Sequence, residues 1–349
     1  MKTTFISTPA IANATRLSLM RMQNDMTELN TELSTGRHAD VGLHLGHRTG
    51  RTVSLRSEHA LLNQLTDTNS LVQSRLETTQ IALGGLTERA QGFVDITIAS
   101  RDGWTGPHVG VADARDALSM FVAQLNTSID GEFVFAGINS DVAPMEDYFG
   151  TPASAAKLAV DAAFLAEFGI TQSDPAVANI TAADMTTFLD GAFAALFDDP
   201  AWGANWSTAS DQDVSSRISP DTVIETGTNA NISPFRKLAM AFTMMADLGG
   251  ETVNDQAFKV LTDKAAVIAS QGIHELALAQ GDVGVDQQRI DRADRIMSLQ
   301  LDTLNQGIIN LESVDPYETS TRLNQLISQL EVSYAVTGRL QQLSLVRYI

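Results

Sequence analysis

Apolar residues recur at helical spacing near the start of the chain. The first series, with alternating steps of three and four residues, consists of Leu19, Met22, Met26, Leu29 and Leu33. This spacing is typical of a coiled-coil seam, in which one apolar face of a helix packs against a partner helix. Gly36 follows the series and is expected to end the helix, because glycine readily adopts the left-handed conformation of a helix C-cap.

A second, longer series repeats every seven residues. It consists of Leu55, Leu62, Asn69, Leu76, Leu83 and Ala90. The pattern predicts a helix of about 60 Å, which is too long for an ordinary globular helix and suits a rod. Asn69 is the polar member of this series, and a single polar residue on a seam is a common means of fixing register. A further helix is predicted from Val111 to Ile129.

Helical periodicity returns in the last third of the chain. A helix is predicted to begin at Ser233-Pro234, and Asp315-Pro316 is predicted to mark a break before the last helix. The seam positions of the long C-terminal helix are Ile290, Met297, Leu304 and Leu311. Those of the last helix are Leu323, Leu326, Leu330, Tyr334, Leu340 and Leu343.

The segment between the two helical parts lacks these repeats and is rich in turn signals. Two short helices are predicted, at Ala155–Phe168 and Met185–Phe197. Val214–Ile218 and Thr222–Thr226 flank Ser-Pro-Asp and predict a β-hairpin. This segment is therefore interpreted as a small inserted α+β domain.

The predicted fold class is mainly α. The N- and C-terminal halves form a long antiparallel helical bundle or coiled coil, because seam helices on both sides of an insert need partners. Residues 1–45 and 312–349 are predicted to form an inner coiled-coil domain of terminal helices. Residues 46–140 and 232–311 are predicted to form a helical rod domain, and residues 141–231 an acidic, solvent-facing inserted domain.

Composition and charge exclude several classes of protein. The 349 residues carry 23 basic and 42 acidic side chains, a net charge of −19, and there is no cysteine. A nucleic-acid binder needs a basic patch, which this balance does not favour. A disulfide framework is excluded. No apolar run reaches the length of about 18 residues that a membrane span needs, so membrane insertion is not predicted. Met1–Ser7 does not have the pattern of a cleaved signal peptide.

The negative charge is concentrated in the middle of the chain. Residues 141–234 hold fourteen acidic side chains and two basic ones. Such a segment is expected to form a solvated surface. The ends are closer to neutral, which suits segments that pack against copies of themselves.

No motif for catalysis, cofactor binding or metal binding stands out. His44 and His47 are three residues apart, but Gly42 and Gly46 interrupt the helix that this metal-ligand spacing would need. The glycines from Gly36 to Gly50 lack the Gly-Lys-Ser/Thr of a phosphate loop and predict a flexible interhelical linker. The sequence therefore predicts a protein that is not an enzyme and has no cofactor and no metal site. An enzyme embedded in the insert is the alternative from another class.

Three stretches resemble the flagellin family. Leu33–Arg37, with Asp40 after it, resembles the end of the first flagellin helix, and 293–349 is similar to the closing region of the family. Residues 131–137 are similar to a Gly-x-aromatic-x-Phe-Ala-Gly element of the hook-associated, type-3 branch. The motif positions are Gly36, Arg37, Asp40, Gly131, Phe133, Phe135 and Gly137. The opening Met1–Asn13 departs from the family by being richer in Thr, Ser and Pro.

The resemblance implies a structural subunit of the bacterial flagellum, located outside the cell and exported by a type III apparatus without a cleaved signal. It further implies an adaptor at the junction of hook and filament; the alternative is flagellin, the bulk filament subunit. The implied partners are other copies of the chain in a ring-like homo-oligomer, a hook-side junction protein, flagellin, and a cytosolic export chaperone on the C-terminal helix. The terminal helices are expected to become ordered only when they pack on other copies.

Overall fold

The fold is mainly α. A computed structural model describes residues 8–250 and 252–346, with side chains from residue 13 to residue 339 apart from residue 251. The α-helices in these ranges are, in chain order, α1 Thr8–Thr35, α2 Val41–Leu45, α3 Thr49–Arg101, α4 Pro107–Leu125, α5 Ala155–Phe168, α6 Ala182–Phe188, α7 Ala201–Asn205, α8 Ser233–Leu248, α9 Asp255–Glu312 and α10 Pro316–Val346. The strands form two antiparallel hairpins, which pair β1 Ser128–Ile129 with β2 Glu132–Phe133 and β3 Ser215–Ser219 with β4 Thr222–Glu225. Among the described residues, no helix combines the length and the apolar character that crossing a membrane requires.

The chain divides into two compact units, and the boundaries fall within α3 and α9. Unit 1 comprises Met1–Asn63 and Ser298–Ile349, and unit 2 comprises Gln64–Met297. These units are a property of the observed packing. The three-part division inferred from the sequence stays a prediction.

In unit 1, α1 packs against α10. Helix α1 ends where the seam pattern predicts, because Gly36 has φ +69° and its N–H donates to the carbonyl of Glu32 at 2.8 Å. The stretch after Gly36, expected to be a flexible linker, contains the short helix α2 and a 3₁₀ turn at Gly46–Arg48. Asp40 caps α2 by accepting a hydrogen bond from the N–H of Leu43 at 2.8 Å.

In unit 2, α4 packs against α8. Phe93 of α3, Phe121 of α4, and Phe235 and Phe242 of α8 are fully buried and meet edge to face. Such contacts add to the stabilisation that burial of apolar surface provides. This cluster forms the centre of the unit.

The prediction that α4 reaches Ile129 is wrong at its end. The helix stops at Leu125, and the side chain of Asn126 bonds to both the carbonyl and the N–H of Met145, at 2.8 and 3.0 Å. The chain then forms the β1–β2 hairpin through Asp130 and Gly131, both at positive φ, as a two-residue hairpin turn of type I′ requires.

The inserted segment has a core of aromatic side chains. The two predicted short helices are present, although the second consists of α6 followed by a π-helical turn, Leu189–Phe193, and a 3₁₀ turn, Ala194–Phe197. Buried rings of Phe164, Phe188, Phe193, Trp202 and Trp206 form a continuous series of contacts with neighbouring rings. The predicted hairpin is β3–β4.

Candidate assembly surface

The two terminal helices of unit 1 run antiparallel. The amide of Gln23 in α1 donates to the hydroxyl of Tyr334 in α10 at 2.7 Å, and the N–H of Val314, just before α10, donates to the carbonyl of Gly36 at 3.1 Å. The beginning of α10 therefore lies beside the end of α1. Antiparallel pairing lets each helix cover part of the apolar face of the other.

The seam positions inferred from the sequence differ in burial. Leu330 is 6% exposed, whereas Met26, Leu33 and Tyr334 are 36%, 39% and 51% exposed. The half-buried positions are Leu19, Met22, Leu29, Leu323 and Leu326. Leu340 and Leu343 lie on α10, but their side chains fall outside the described residues.

A second group of apolar side chains on these helices was not singled out from the sequence. More than a third of the surface of each is exposed, and the group consists of Leu17, Met20, Ile327, Val332 and Val336. Their positions beside the seam residues, on the same predicted helices, are the sequence signal that could have identified them. Exposed apolar surface of this extent on paired helices is typical of an interaction surface.

A buried carboxylate, also missed from the sequence, holds the base of this helix pair. The side chain of Glu312, at the end of α9, is 1% exposed. Its Oε1 accepts a hydrogen bond from Nε of Arg56 at 2.7 Å, and its Oε2 accepts one from the same guanidinium. Arg37 Nη1 lies 3.7 Å from Oε2. The hydrogen bond to Glu312 raises the pKa of Arg56, as expected for a charge-assisted hydrogen bond.

The backbone closes the same junction. The N–H of His38 donates to the carbonyl of Glu312 at 3.0 Å, and Arg37 and Ser313 form an isolated antiparallel bridge. We call Arg37, Arg56, Glu312 and Ser313 the Glu312 junction. All three family-motif positions in this region have visible roles: Gly36 supplies the left-handed turn, Arg37 faces Glu312 and Asp40 caps α2.

The rod-seam positions are mostly buried. Leu62, Ile290 and Met297 are each 1% exposed, as is Leu76, and Leu304 is 9% exposed. Leu83 is fully buried, and Leu55 and Leu311 are half-buried.

Asn69, the polar residue of this seam, is fully buried. Its amide nitrogen donates to the carbonyl of Ile218 in β3 at 3.0 Å and to Oδ1 of Asp294 in α9 at 2.6 Å. Burial raises the pKa of Asp294, and the hydrogen bond from Asn69 opposes that shift. Asn69 therefore joins three elements of unit 2 at one point.

The motif from Gly131 to Gly137 runs from the turn of the β1–β2 hairpin towards the insert. Phe135 is fully buried and Phe133 half-buried. The carbonyl of Phe135 accepts from the N–H of Ala230 at 2.8 Å. Gly137 has φ +61°, and a Cβ there would lie 2.6 Å from the carbonyl oxygens of Ser210 and Gln212. Only glycine fits this approach without displacement of the backbone.

The histidines near α2 do not form a recognisable metal site. His38 and His44 stack with ring centroids 3.5 Å apart, and Nδ1 of His38 lies 3.3 Å from Oε1 of Glu32. In the described parts of the chain, no group of three or more potential metal-ligating side chains comes together. The spacing of His44 and His47 gives no third ligand.

Comparisons with known proteins point to one family. A model of the bacterial flagellin N-terminal helical region matches residues 6–140, and a model of the bacterial flagellin C-terminal helical region matches residues 267–349. A solved structure assigned as a flagellar hook-associated protein of Vibrio parahaemolyticus is similar to this chain, with a TM-score of 0.52 at 9% identity. The match covers 76% of this chain and 97% of that one, and at this identity it shows a shared fold. No curated protein matches the sequence.

Proposed function

We propose that this chain, which belongs to the flagellin family, acts as the adaptor at the junction between hook and filament. Its family makes it a structural subunit of the bacterial flagellum, and the flagellum lies outside the cell. Membership of a family of structural proteins gives no support to the alternative of an enzyme in the insert. The proposal concerns the position of the subunit and its neighbours.

The exposed apolar surface of α1 and α10 supports the self-assembly on which this proposal depends. Val332 is 63% exposed and Met20 54% exposed, although both lie on helices whose other side is packed. Full burial of an exposed side chain of this size contributes roughly 1.5–3 kcal/mol, and burial of the part that is still exposed contributes a corresponding share. Packing of several copies side by side would bury this surface, and this is the basis for proposing a ring-like homo-oligomer.

The choice of the junction over the bulk filament is supported by the element from Gly131 to Gly137. It resembles the hook-associated branch, and its Gly137 allows the chain after β2 to pass close to the carbonyl oxygens of Ser210 and Gln212 in the insert. The proposed neighbours are a hook-side junction protein on one face and flagellin on the other. A cytosolic chaperone is proposed to cover the C-terminal helix before type III export.

We also propose a role for each part of the chain. Residues 1–45 and 312–349 would form the inner layer of the assembly, and residues 46–140 and 232–311 the rod outside it. Residues 141–231 would face the solvent, in agreement with their acidic charge. Flagellin itself remains the alternative function, since its terminal helices would have the same apolar surface.

An antibody against residues 141–231, applied to isolated flagella in the electron microscope, tests the position. One band at the hook–filament boundary would support the adaptor, and label along the whole filament would identify the alternative, flagellin. Protein that stays in the cell and gives no label on flagella would overturn both.

A pair of variants tests the surface. Val332→Asp places a charge on the exposed face of α10 and should abolish incorporation, because assembly would have to bury that charge. Val223→Asp is the matched control, because Val223 is 53% exposed but lies on β4 in the insert. If both variants are incorporated equally well, the α1–α10 surface is not the assembly surface.

A further inference from the structure

A groove runs along the outer face of α9 in unit 2. It has a volume of about 510 Å³ and lies between α9 and the loop that follows β4. Leu278 and Val285 line it and are 59% and 48% exposed. They are seven residues apart and therefore share one face of the helix. The groove is large enough to receive side chains from another helix.

The rim of this groove is strongly acidic. Asp213, Glu225, Asp282 and Asp286 all line it, and the only one of these with a basic partner in the described chain is Asp286, whose Oδ1 lies 3.1 Å from Nη1 of Arg289. Burial raises the pKa of Asp213 and of Asp286, and the charge of Glu225 raises both further. We call these four residues, with Leu278 and Val285, the acidic groove. Its charge is largely uncompensated.

The same chain contains a segment of opposite character. Residues 41–57 hold three arginines and no acidic residue. Leu43 and Val53 in this segment are 83% and 61% exposed. Arg48 and Arg51 are also exposed, and among the described residues neither forms an ion pair. We call residues 41–57 the basic segment. It offers exposed apolar side chains beside positive charges, and the acidic groove offers exposed apolar side chains beside negative charges.

We propose that the acidic groove of one copy binds the basic segment of a second copy. Leu43 would enter the apolar floor at Leu278, and Arg48 and Arg51 would face the carboxylates of the rim. The two surfaces are different parts of one chain, so the contact is heterologous and repeats from copy to copy. Oppositely charged surfaces also orient the copies as they meet. This inference rests on the proposed self-assembly.

Disulfide trapping tests the contact in assembled flagella. Because the chain has no cysteine, engineered pairs report on one contact only. A Leu43→Cys chain and a Leu278→Cys chain, with different tags, would be expressed together in flagellated cells. We expect a disulfide-linked dimer that carries both tags. The matched control replaces Leu278→Cys with Leu158→Cys, since Leu158 is 57% exposed but lies on α5.

Charge exchange tests the electrostatic part. Glu225→Lys with Asp282→Lys, in the Leu278→Cys chain, should lower the yield of mixed dimer on the order of tenfold or more, because like charges would then meet. Arg48→Glu with Arg51→Glu, added to the Leu43→Cys chain, should restore the yield. All four side chains are exposed, so these changes leave the folded core intact.

The outcomes separate this inference from the proposed function. If the chain is present in flagella but the mixed dimer does not exceed the Leu158 control, the inference is wrong and the structural role stands. The inference is also wrong if the lysine substitutions in the groove leave the dimer yield unchanged, or if the glutamate substitutions in the basic segment do not restore it. A chain absent from flagella would overturn the proposed function and the inference with it.

Discussion

Replacing Glu312 by Gln should destabilise unit 1 by about 2 kcal/mol. Gln keeps the size of the side chain but loses the charge that faces Arg56 and Arg37. Hydrogen bonds to charged groups contribute roughly 1.5–3 kcal/mol, and breaking a fully buried ion pair costs about 3–5 kcal/mol. Arg56 and Arg37 are 49% and 53% exposed, so water can solvate them in the variant. The expected loss of stability therefore lies within the lower of these two ranges.

Two spectroscopic signals separate the units in this experiment. All three tryptophans, Trp104, Trp202 and Trp206, lie in unit 2. Tryptophan fluorescence during urea denaturation therefore follows unit 2, whereas far-UV circular dichroism follows the helices of both units. Glu312→Gln should move part of the circular dichroism transition to lower urea and leave the fluorescence midpoint in place.

The matched control is Glu318→Gln. Glu318 pairs with Arg322 one turn away on α10, and the two side chains are 61% and 65% exposed. Such a surface pair contributes at most about 1 kcal/mol, so this variant should remain close to wild type. A double-mutant cycle with Arg56→Gln should give a coupling energy of about 1–2 kcal/mol. Equal effects of Glu312→Gln and Glu318→Gln would refute the role assigned to the Glu312 junction.

Three further predictions concern unit 2. Gly137→Ala should destabilise the unit by more than Gly131→Ala in urea denaturation, because both glycines have positive φ but only at Gly137 would the new Cβ meet backbone oxygens at 2.6 Å. The left-handed conformation alone costs roughly 1–2 kcal/mol at either position. Equal losses of stability in the two variants would contradict this explanation. Asn69→Ala should destabilise the unit by about 1–3 kcal/mol in thermal denaturation, because it leaves the carbonyl of Ile218 and the carboxylate of Asp294 without their hydrogen-bond donor. An unchanged melting temperature would show that water takes over the hydrogen bonds of the Asn69 amide. Burial raises the pKa of Asp247, although the charge of Lys157 opposes this shift, so the carboxyl binds its proton more tightly in the folded state than in the unfolded state. The stability that this proton binding contributes is fully present below the unfolded pKa and is lost as the pH rises through the folded pKa. The stability of wild type relative to Asp247→Asn, measured by denaturation from neutral pH to pH about 4, should therefore rise as the pH falls.

Much of the helical architecture follows from local periodicity. The seven-residue repeat predicts α3 and α9 because burial of Leu62, Leu83, Ile290 and Met297 depends on which face of a helix each residue occupies. The end of α1 was predictable for a similarly local reason, the left-handed preference of Gly36. The assembly seam and the domain division stay predictions, since one copy of the chain does not test them.

Contacts between residues far apart in sequence were not predictable. Asn69 was recognisable as the polar residue of a seam, but its partner Ile218 is 149 residues away. The end of α4 was mispredicted because the side chain of Asn126 bonds to Met145, which local propensity does not reveal. Glu312 did leave a signal: it lies four residues after Ile308 and therefore on the apolar face of α9.

The Glu312 junction has a consequence for the order of folding. Its Arg56–Glu312 contact joins residues 256 positions apart, and the Gln23–Tyr334 contact joins residues 311 apart. Closing such long loops costs chain entropy, and contacts of this separation form slowly. Unit 2 is continuous in sequence, and its folding removes most of the intervening chain from those loops. Unit 1 is therefore expected to close last, after both ends of the chain have been made, and a chain truncated anywhere before Glu312 would lack this closure altogether.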